Sequence, residues 1–310
     1  GTPFDEGYVE KLWFFTDAPL PSQGIYINMD DPLMKDANVR FGFEHAMNWD
    51  KVIKTVLRGD YERMEQAYQG YGKYQNNDIK PRQYDLAKAD EYFKKAGWGQ
   101  RGADGIRTKD GQRLSVEITY GNPFHTERLV VLREEAKKAG LELKIKQMDP
   151  TQAFKAMLEK KFQVASMAWS TTPTPTFWEA YHSANAHKPQ TNNLCNMDNK
   201  ELDNLIDQHR ASTEEKTLIK LAKEIQAKLH ELGCFSPGVK APYFRAAYWR
   251  WLRFPEVAAQ KISTTLLEPM GADPNEGGLM VGSVVWFDPK RKEETDAARK
   301  AKKTFPVVVK

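Results

Sequence analysis

The stretch Phe162-Gln-Val-Ala-Ser-Met-Ala-Trp-Ser-Thr-Thr-Pro-Thr-Pro-Thr-Phe-Trp178 decides how the rest of the chain is read. Val164 to Trp169 is short, uncharged and mostly apolar, and such a run bounded by turn residues fits a strand covered on both faces. Pro173 and Pro175 keep the next segment out of a helix, because each lacks an amide hydrogen and restricts the residue before it. The strand end therefore delivers Trp169, Ser170, Thr171 and Thr172 into a loop, an aromatic face beside hydroxyls that suits a binding site. The same pattern also describes a core tryptophan followed by an ordinary Thr/Pro loop, and the residues alone leave both readings open.

Working upstream, Leu114, Val116, Ile118 and Tyr120 alternate as a strand. Asn122 and Pro123 then supply a cap and first-turn proline for a helix with Leu129, Leu132, Ala136 and Ala139 on one face, and Gly140 stops it. Leu141, Leu143 and Ile145 alternate as a second strand, and Asp149-Pro150 starts a helix that carries Phe154, Met157 and Leu158 inward and leads into Val164. The pattern predicts a βαβαβ unit with parallel strands and right-handed crossovers. That places the Trp169 loop at the carboxyl edge of the sheet, where ligands bind in open α/β folds.

Further upstream, Leu12 to Thr16 and Gly24 to Met29 are strand candidates without an obvious partner, and a detached sheet is their expected home. Val39 to Leu57 repeats at helical spacing with a break, where Asn48 is placed to cap the second half. A Tyr/Gly/Asn-rich loop from Tyr68 to Pro81 is long enough to be functional or to wrap another part of the molecule. A helix from Asp85 to Ala96 and a hairpin bracketed by Asp104-Gly105 and Asp110-Gly111 complete the approach to the core unit.

Downstream, Asp198 and Glu201 form a capping-box pattern, and Thr213 is placed to cap a longer helical pattern that runs to Gly233. Phe235 to Val239, Ala246 to Leu252 and Val281 to Phe287 are strand-like, and the C-terminus is a basic, helix-prone run expected to be solvated.

The chain has 310 residues, enough to fold without disulfide staples, and its net charge of +4 is spread along the sequence, which gives no argument for nucleic acid. No apolar run reaches the roughly 18 residues a membrane span needs. The N-terminus Gly1-Thr2-Pro3 lacks signal-peptide regions, so the chain is expected to be cytoplasmic, already processed, or cut from something longer. Cys195 and Cys234 show no CxxC spacing and are either free or paired across a helical hairpin. His182 and His187 are weighed as a metal pair against surface histidines, and no cofactor is implied. Phosphate-loop, dinucleotide, nucleophile-elbow, zincin and EF-hand signatures are all absent. Tyr248-Trp249-Arg250-Trp251 either stacks on a planar ligand group or closes the core.

Several segments carry a family resemblance. They are Asn38 to Ile53, Tyr84 to Trp98, the Asp-Gly-Ile-Arg to Asp-Gly-Gln-Arg-Leu hairpin, and the Ala168-Trp169-Ser170 strand end. In this order they resemble the extracellular solute-binding proteins of family 5, the peptide- and nickel-type receptors of ABC importers. The resemblance covers about Ser22 to Pro255, and Tyr-Gly-Asn-Pro, Pro-Gln-Thr-Asn-Asn and Ala-Tyr-Trp-Arg-Trp lean towards the branch serving microcin-type peptide transporters. It implies an α/β fold, the C-terminal lobe of a two-lobed periplasmic binding protein of type II.

On that reading, residues 1–30 are strand and hinge of a missing first lobe, 31–252 the ligand-binding lobe, and 253–310 the return segment and basic tail. The implied partners are a peptide or peptide-like ligand, the importer's permease and the missing N-terminal lobe. The implied place is periplasmic or extracytoplasmic, with no chemistry performed, no nucleic acid bound and no direct membrane span. The expected ligand surface is Trp169, Ser170 and Thr171 with Asn192, Asn193, Tyr248 and Trp249. Peptide receptors of the family commonly place an aspartate shortly after this tryptophan, and here Ser170-Thr171-Thr172-Pro173 stands instead, which puts recognition of a free peptide N-terminus in doubt. Two other classes stay open: a hydrolase or transferase with its site at the same sheet edge, and a bare interaction module without pocket aromatics.

Overall fold

The computed structural model describes residues 1–15, 18–254, 271–272, 279–280 and 285–310. The chain divides into two compact units, residues 19–240 and residues 1–18 with 241–310.

The larger unit is organised on five strands: β1 (Ser22–Ile27), β2 (Ser115–Tyr120), β3 (Glu142–Gln147), β4 (Val164–Trp169) and β5 (Phe235–Pro237). Their order is β5-β1-β4-β2-β3. β2 runs parallel to β3, with Ile118 opposite Ile145, and parallel to β4, with Ile118 opposite Val164, as the alternation predicts. One face carries α1 (Ala37–Ala46), α2 (Trp49–Thr55), α3 (Leu86–Lys95) and α4 (Thr126–Lys138). The other carries α5 (Pro150–Leu158), α6 (Trp178–Tyr181), α7 (Lys200–Ala211) and α8 (Glu215–Leu232). α4 and α5 fall on opposite faces because β2 steps outward to β3 and the chain then returns past β2 to reach β4. Two crossovers of one hand in opposite directions must use opposite faces.

β1 corrects an expectation. The strand is present, but it lies in this central sheet rather than a detached one, antiparallel to β4 with Tyr26 opposite Ala165 and Ser22 opposite Trp169. Ile25 and Ile27 are fully buried on one face and Tyr26 is buried on the other, and only a strand inside a sheet covered on both sides satisfies that pattern. β5 pairs antiparallel with its free side. A Cβ at Gly24 would lie 2.4 Å from the Ser236 carbonyl oxygen, so glycine permits this close approach.

The caps follow the sequence with two exceptions. Asn48 Oδ1 accepts the Lys51 amide at 3.0 Å and starts α2 after the expected break. Asp149 Oδ1 accepts from Thr151 and Gln152 at 2.9 and 3.2 Å. Gly233 ends α8 at φ +65°, a left-handed turn that glycine takes without a Cβ penalty. The residue capping α7 is Asn199, not Asp198: its Oδ1 accepts the Leu202 amide at 2.9 Å, while the Asp198 carboxylate faces His187 Nε2 at 3.1 Å. α8 begins after Glu214 without a side-chain cap, so Thr213 does not cap it.

In the smaller unit, strand Val9–Phe14 pairs antiparallel with Phe244–Trp249, Leu12 opposite Ala246, and Lys11 bridges to Val309. The strand expected from Ala246 to Leu252 is interrupted at Arg250-Trp251 and resumes as Leu252–Arg253, which pairs with Trp286–Phe287. The basic run expected as a solvated tail forms the helix Pro289–Lys300, with Thr295 and Ala298 buried. Residues 281–284 of the strand expected at Val281 to Phe287, and Thr16 of the first, lie outside the described residues.

Candidate ligand-binding site

The site begins where β4 leaves the sheet. Val164, Ala165 and Ser166 are buried, whereas Trp169 is half-buried and Ser170 exposed, so the polar segment emerges at the carboxyl edge of the parallel strands. Trp169 lies 6.1 Å, centroid to centroid, from the half-exposed Phe154 of α5. Thr172 Oγ1 donates to the Thr174 carbonyl at 2.6 Å and Thr171 Oγ1 to the Pro19 carbonyl at 3.4 Å. The prolines leave this loop without helical bonds, and side-chain hydroxyls supply replacements.

A second wall comes from the Tyr-rich loop. Tyr68 Oη donates to the Thr176 carbonyl at 2.8 Å, and the Thr172 amide donates to Tyr71 Oη at 3.3 Å. Gln226 of α8 holds the loop from behind, accepting from the Asn76 amide at 2.9 Å and donating to the Tyr74 carbonyl at 2.7 Å. The Tyr68 ring packs on Phe177 at 4.7 Å and on Tyr71 at 5.5 Å. This loop therefore wraps the end of β4, one of the two roles its length and composition suggest.

Between these walls is a cavity of about 240 Å³. Trp169, Ser170, Thr171 and Asn192, all expected at the ligand surface, line it together, and Tyr26, Tyr68, Tyr71 and Tyr181 add phenol rings from three other segments. Tyr26 Oη lies 2.6 Å from Ser22 Oγ at the start of β1. Burial pushes the Tyr26, Tyr68 and Tyr181 phenols well above their ordinary value, so these walls are neutral. Glu179, on α6, also lines the cavity. Its Oε2 accepts from Asn192 Nδ2 at 3.4 Å.

Three other expected residues are not among those that line this cavity. Asn193 is fully buried and structural: its Nδ2 donates to the His182 and Met197 carbonyls at 3.2 and 2.9 Å, and its Oδ1 accepts the Met197 amide at 2.7 Å. Tyr248 and Trp249 belong to the smaller unit. There Tyr248 is buried and donates to Glu10 Oε2 at 3.0 Å, while Trp249 stacks on Trp251 at 4.7 Å.

Cys195 and Cys234 are both free and buried. The α7–α8 hairpin does bring them together, with Cys195 Sγ donating to the Cys234 carbonyl at 3.2 Å. The hydrogen bond with Cys195, together with burial, pushes the Cys234 thiol up. His187 sits between Asp30 and Asp198 at 2.8 and 3.1 Å, and those carboxylates raise its pKa, while His182 Nδ1 accepts the Ala184 amide at 3.0 Å. Among the described residues no group of three or more His, Cys, Asp or Glu is placed to hold a metal ion.

Glu179 and the phenol rings of Tyr26 and Tyr181 are additions that sequence reasoning missed. Phe177 and Tyr181 at helical spacing, both buried, were the available signal that the segment after Pro175 turns back into the core and presents Glu179 outward.

The sequence profile of the bacterial extracellular solute-binding proteins, family 5 Middle, matches residues 5–188. The chain is 27% identical over 231 residues to the oligopeptide-binding protein AppA of Bacillus subtilis, covering 71% of this chain and 41% of that protein. It is 28% identical over 102 residues to the nickel-binding periplasmic protein of Escherichia coli, covering 33% and 20%. It thus spans about two-fifths or less of the length of these curated relatives. Among solved structures, AppA of B. subtilis in complex with a nonapeptide superposes with a TM-score of 0.71 at 24% identity, over 81% of this chain and 50% of that one. NikZ of Campylobacter jejuni in complex with Ni(L-His) superposes with a TM-score of 0.70 at 19% identity, over the same shares of 81% and 50%. At these identities the structural likeness speaks for the fold.

Proposed function

This chain belongs to the bacterial extracellular solute-binding proteins of family 5, and from that premise we propose that it captures a peptide or peptide-like solute at the cavity beside Trp169. In this reading it is the C-terminal part of a two-lobed receptor that closes on its ligand outside the cytoplasmic membrane and hands it to an ABC importer's permease. The smaller unit is assigned to the other lobe. Closure of two lobes buries the ligand, so affinity depends on both.

The observation that carries the proposal is the wall chemistry: flat aromatic area from Trp169 and the tyrosines, beside the hydroxyls of Ser170 and Thr171 and the amide of Asn192. Rings accept varied side chains, while hydroxyls and amides donate or accept towards a backbone that is the same in every peptide. The hydrolase or transferase reading finds less support, because no histidine or lysine lines the cavity beside its hydroxyls and the Glu179 carboxylate has Asn192 as its hydrogen-bond partner rather than a hydroxyl.

Titration of the chain with trialanine, followed by tryptophan fluorescence and by mass spectrometry, tests the proposal. Binding without turnover, lost in Trp169→Ala at near-native melting temperature, is expected. Hydrolysis of the peptide, or binding indifferent to Trp169→Ala, would overturn it.

A further inference from the structure

The cavity is lined by sixteen residues, and Glu179 is the one among them that carries a formal charge at neutral pH. Five aromatic residues line it: Trp169, Tyr26, Tyr68, Tyr71 and Tyr181. An aromatic ring presents its negative face to a cation, and a carboxylate at the edge of such a cage adds a counter-charge. Hydroxyls, the Asn192 amide, two alanines, Leu194 and Cys195 complete the lining, so no side chain there carries a positive charge.

Glu179 is also free to serve. It lies on α6, whose neighbouring Phe177 and Tyr181 are buried and fix the helix, leaving the Glu179 side chain exposed. Its hydrogen-bond partner is Asn192 at 3.4 Å, a long and neutral contact that orients the carboxylate without neutralising it. Among the described residues no lysine, arginine or histidine pairs with Glu179. Arg210 of α7 lies over the ring of Trp178, the residue before Glu179, at 4.7 Å. Glu179 thus stands exposed at the lining of a cavity that also carries four tyrosines.

We propose that the cavity selects a cationic group, an ammonium or guanidinium, which sits on the tyrosine and tryptophan faces and pairs with Glu179. This deepens the solute-binding reading by naming the charge class of the ligand, and it rests on that reading for the identity of the site. The cavity volume of about 240 Å³ suits one such headgroup with a few carbons rather than a whole oligopeptide. The remainder of a longer ligand would extend beyond it.

Three probes separate the cation from the peptide: agmatine, which has an ammonium, a guanidinium and no peptide bond; trialanine with its free ammonium; and N-acetyl-trialanine amide, which has no charge. Binding to the native chain, Glu179→Gln and Glu179→Asp is followed by NMR shifts of the aromatic side chains, with circular dichroism as the fold control. Agmatine and trialanine should shift the cavity rings, Glu179→Gln should weaken both by about tenfold, and Glu179→Asp should retain part of the affinity. Added salt should weaken agmatine, the probe of net positive charge, more than zwitterionic trialanine, and leave the acetylated amide unchanged. Agmatine binding that depends on Glu179 while neither peptide binds would keep the cation inference and remove the peptide reading. Equal binding of trialanine and its acetylated amide, indifferent to Glu179→Gln, would keep the peptide reading and overturn the cation inference. Silence of the cavity rings towards agmatine and trialanine overturns the cation inference as well.

Discussion

The phenol oxygen of Tyr71 accepts the backbone amide of Thr172 at 3.3 Å, joining the Tyr-rich loop to the loop that leaves β4. The two segments are remote in sequence, and this bond, with Tyr68 on the Thr176 carbonyl, makes them one wall. Tyr71→Phe keeps the ring and removes the acceptor. Hydrogen exchange at the Thr172 amide should then quicken by about fivefold, for a net bond worth roughly 1 kcal/mol, with little change in melting temperature. Unchanged exchange would mean the wall is held by ring packing alone.

Trp169 and Phe177 should differ in what they cost. Phe177 is 2% exposed and packs on Tyr68 and His209 at 4.7 and 5.1 Å, so Phe177→Ala should lose about 3–5 kcal/mol in urea unfolding. Trp169 is half-buried at the cavity, and Trp169→Ala should lose about 1–2 kcal/mol. Equal losses would place Trp169 in the core and remove it from the binding surface.

Neighbouring asparagines give a second contrast. Asn193→Ala strands two carbonyls and one amide in a dry environment and should destabilise by roughly 2–3 kcal/mol. Asn192 is exposed and its bond to Glu179 is long, so Asn192→Ala should stay within about 0.5 kcal/mol while altering ligand binding. Denaturant midpoints measured side by side decide it.

His125 sets a pH dependence. Burial, assisted by the Arg128 charge, lowers its pKa from 6.5 to about 4. Protons therefore bind the unfolded chain more readily between those values, so this contribution is complete above pH 6.5 and is lost as pH falls towards 4. Glu44, raised to about 7 by burial, works in the opposite sense over part of that range, so the comparison must be with a variant that keeps Glu44. From pH 6.5 to 4 the native chain should lose roughly 2 kcal/mol more than His125→Gln, after allowance for partial solvent screening. Parallel pH profiles would show that His125 is not held neutral by the fold.

The sequence by itself determined the parallel β2-β3-β4 unit, its helices and its carboxyl-edge loop. Those features are written in short-range signals: alternation at Val116 and Ile118, caps at Asn48 and Asp149, stops at Gly140 and Gly233. Each depends on residues within a turn or two of one another, which a linear reading captures. It also placed Trp169, Ser170, Thr171 and Asn192 on a common surface, because a strand end and a polar loop mark themselves in composition. Only the tertiary structure decided that β1 fills the central sheet, since a strand's hydrogen-bonding partner leaves no trace in its own alternation. It likewise separated Asn192 from Asn193, adjacent residues of one type whose opposite burial is set by which carbonyls lie within reach. And it brought Glu179 to the tyrosines: the cavity exists because segments around Tyr26, Tyr68, Trp169 and Tyr181 converge on the end of one strand, and convergence is a property of packing in three dimensions.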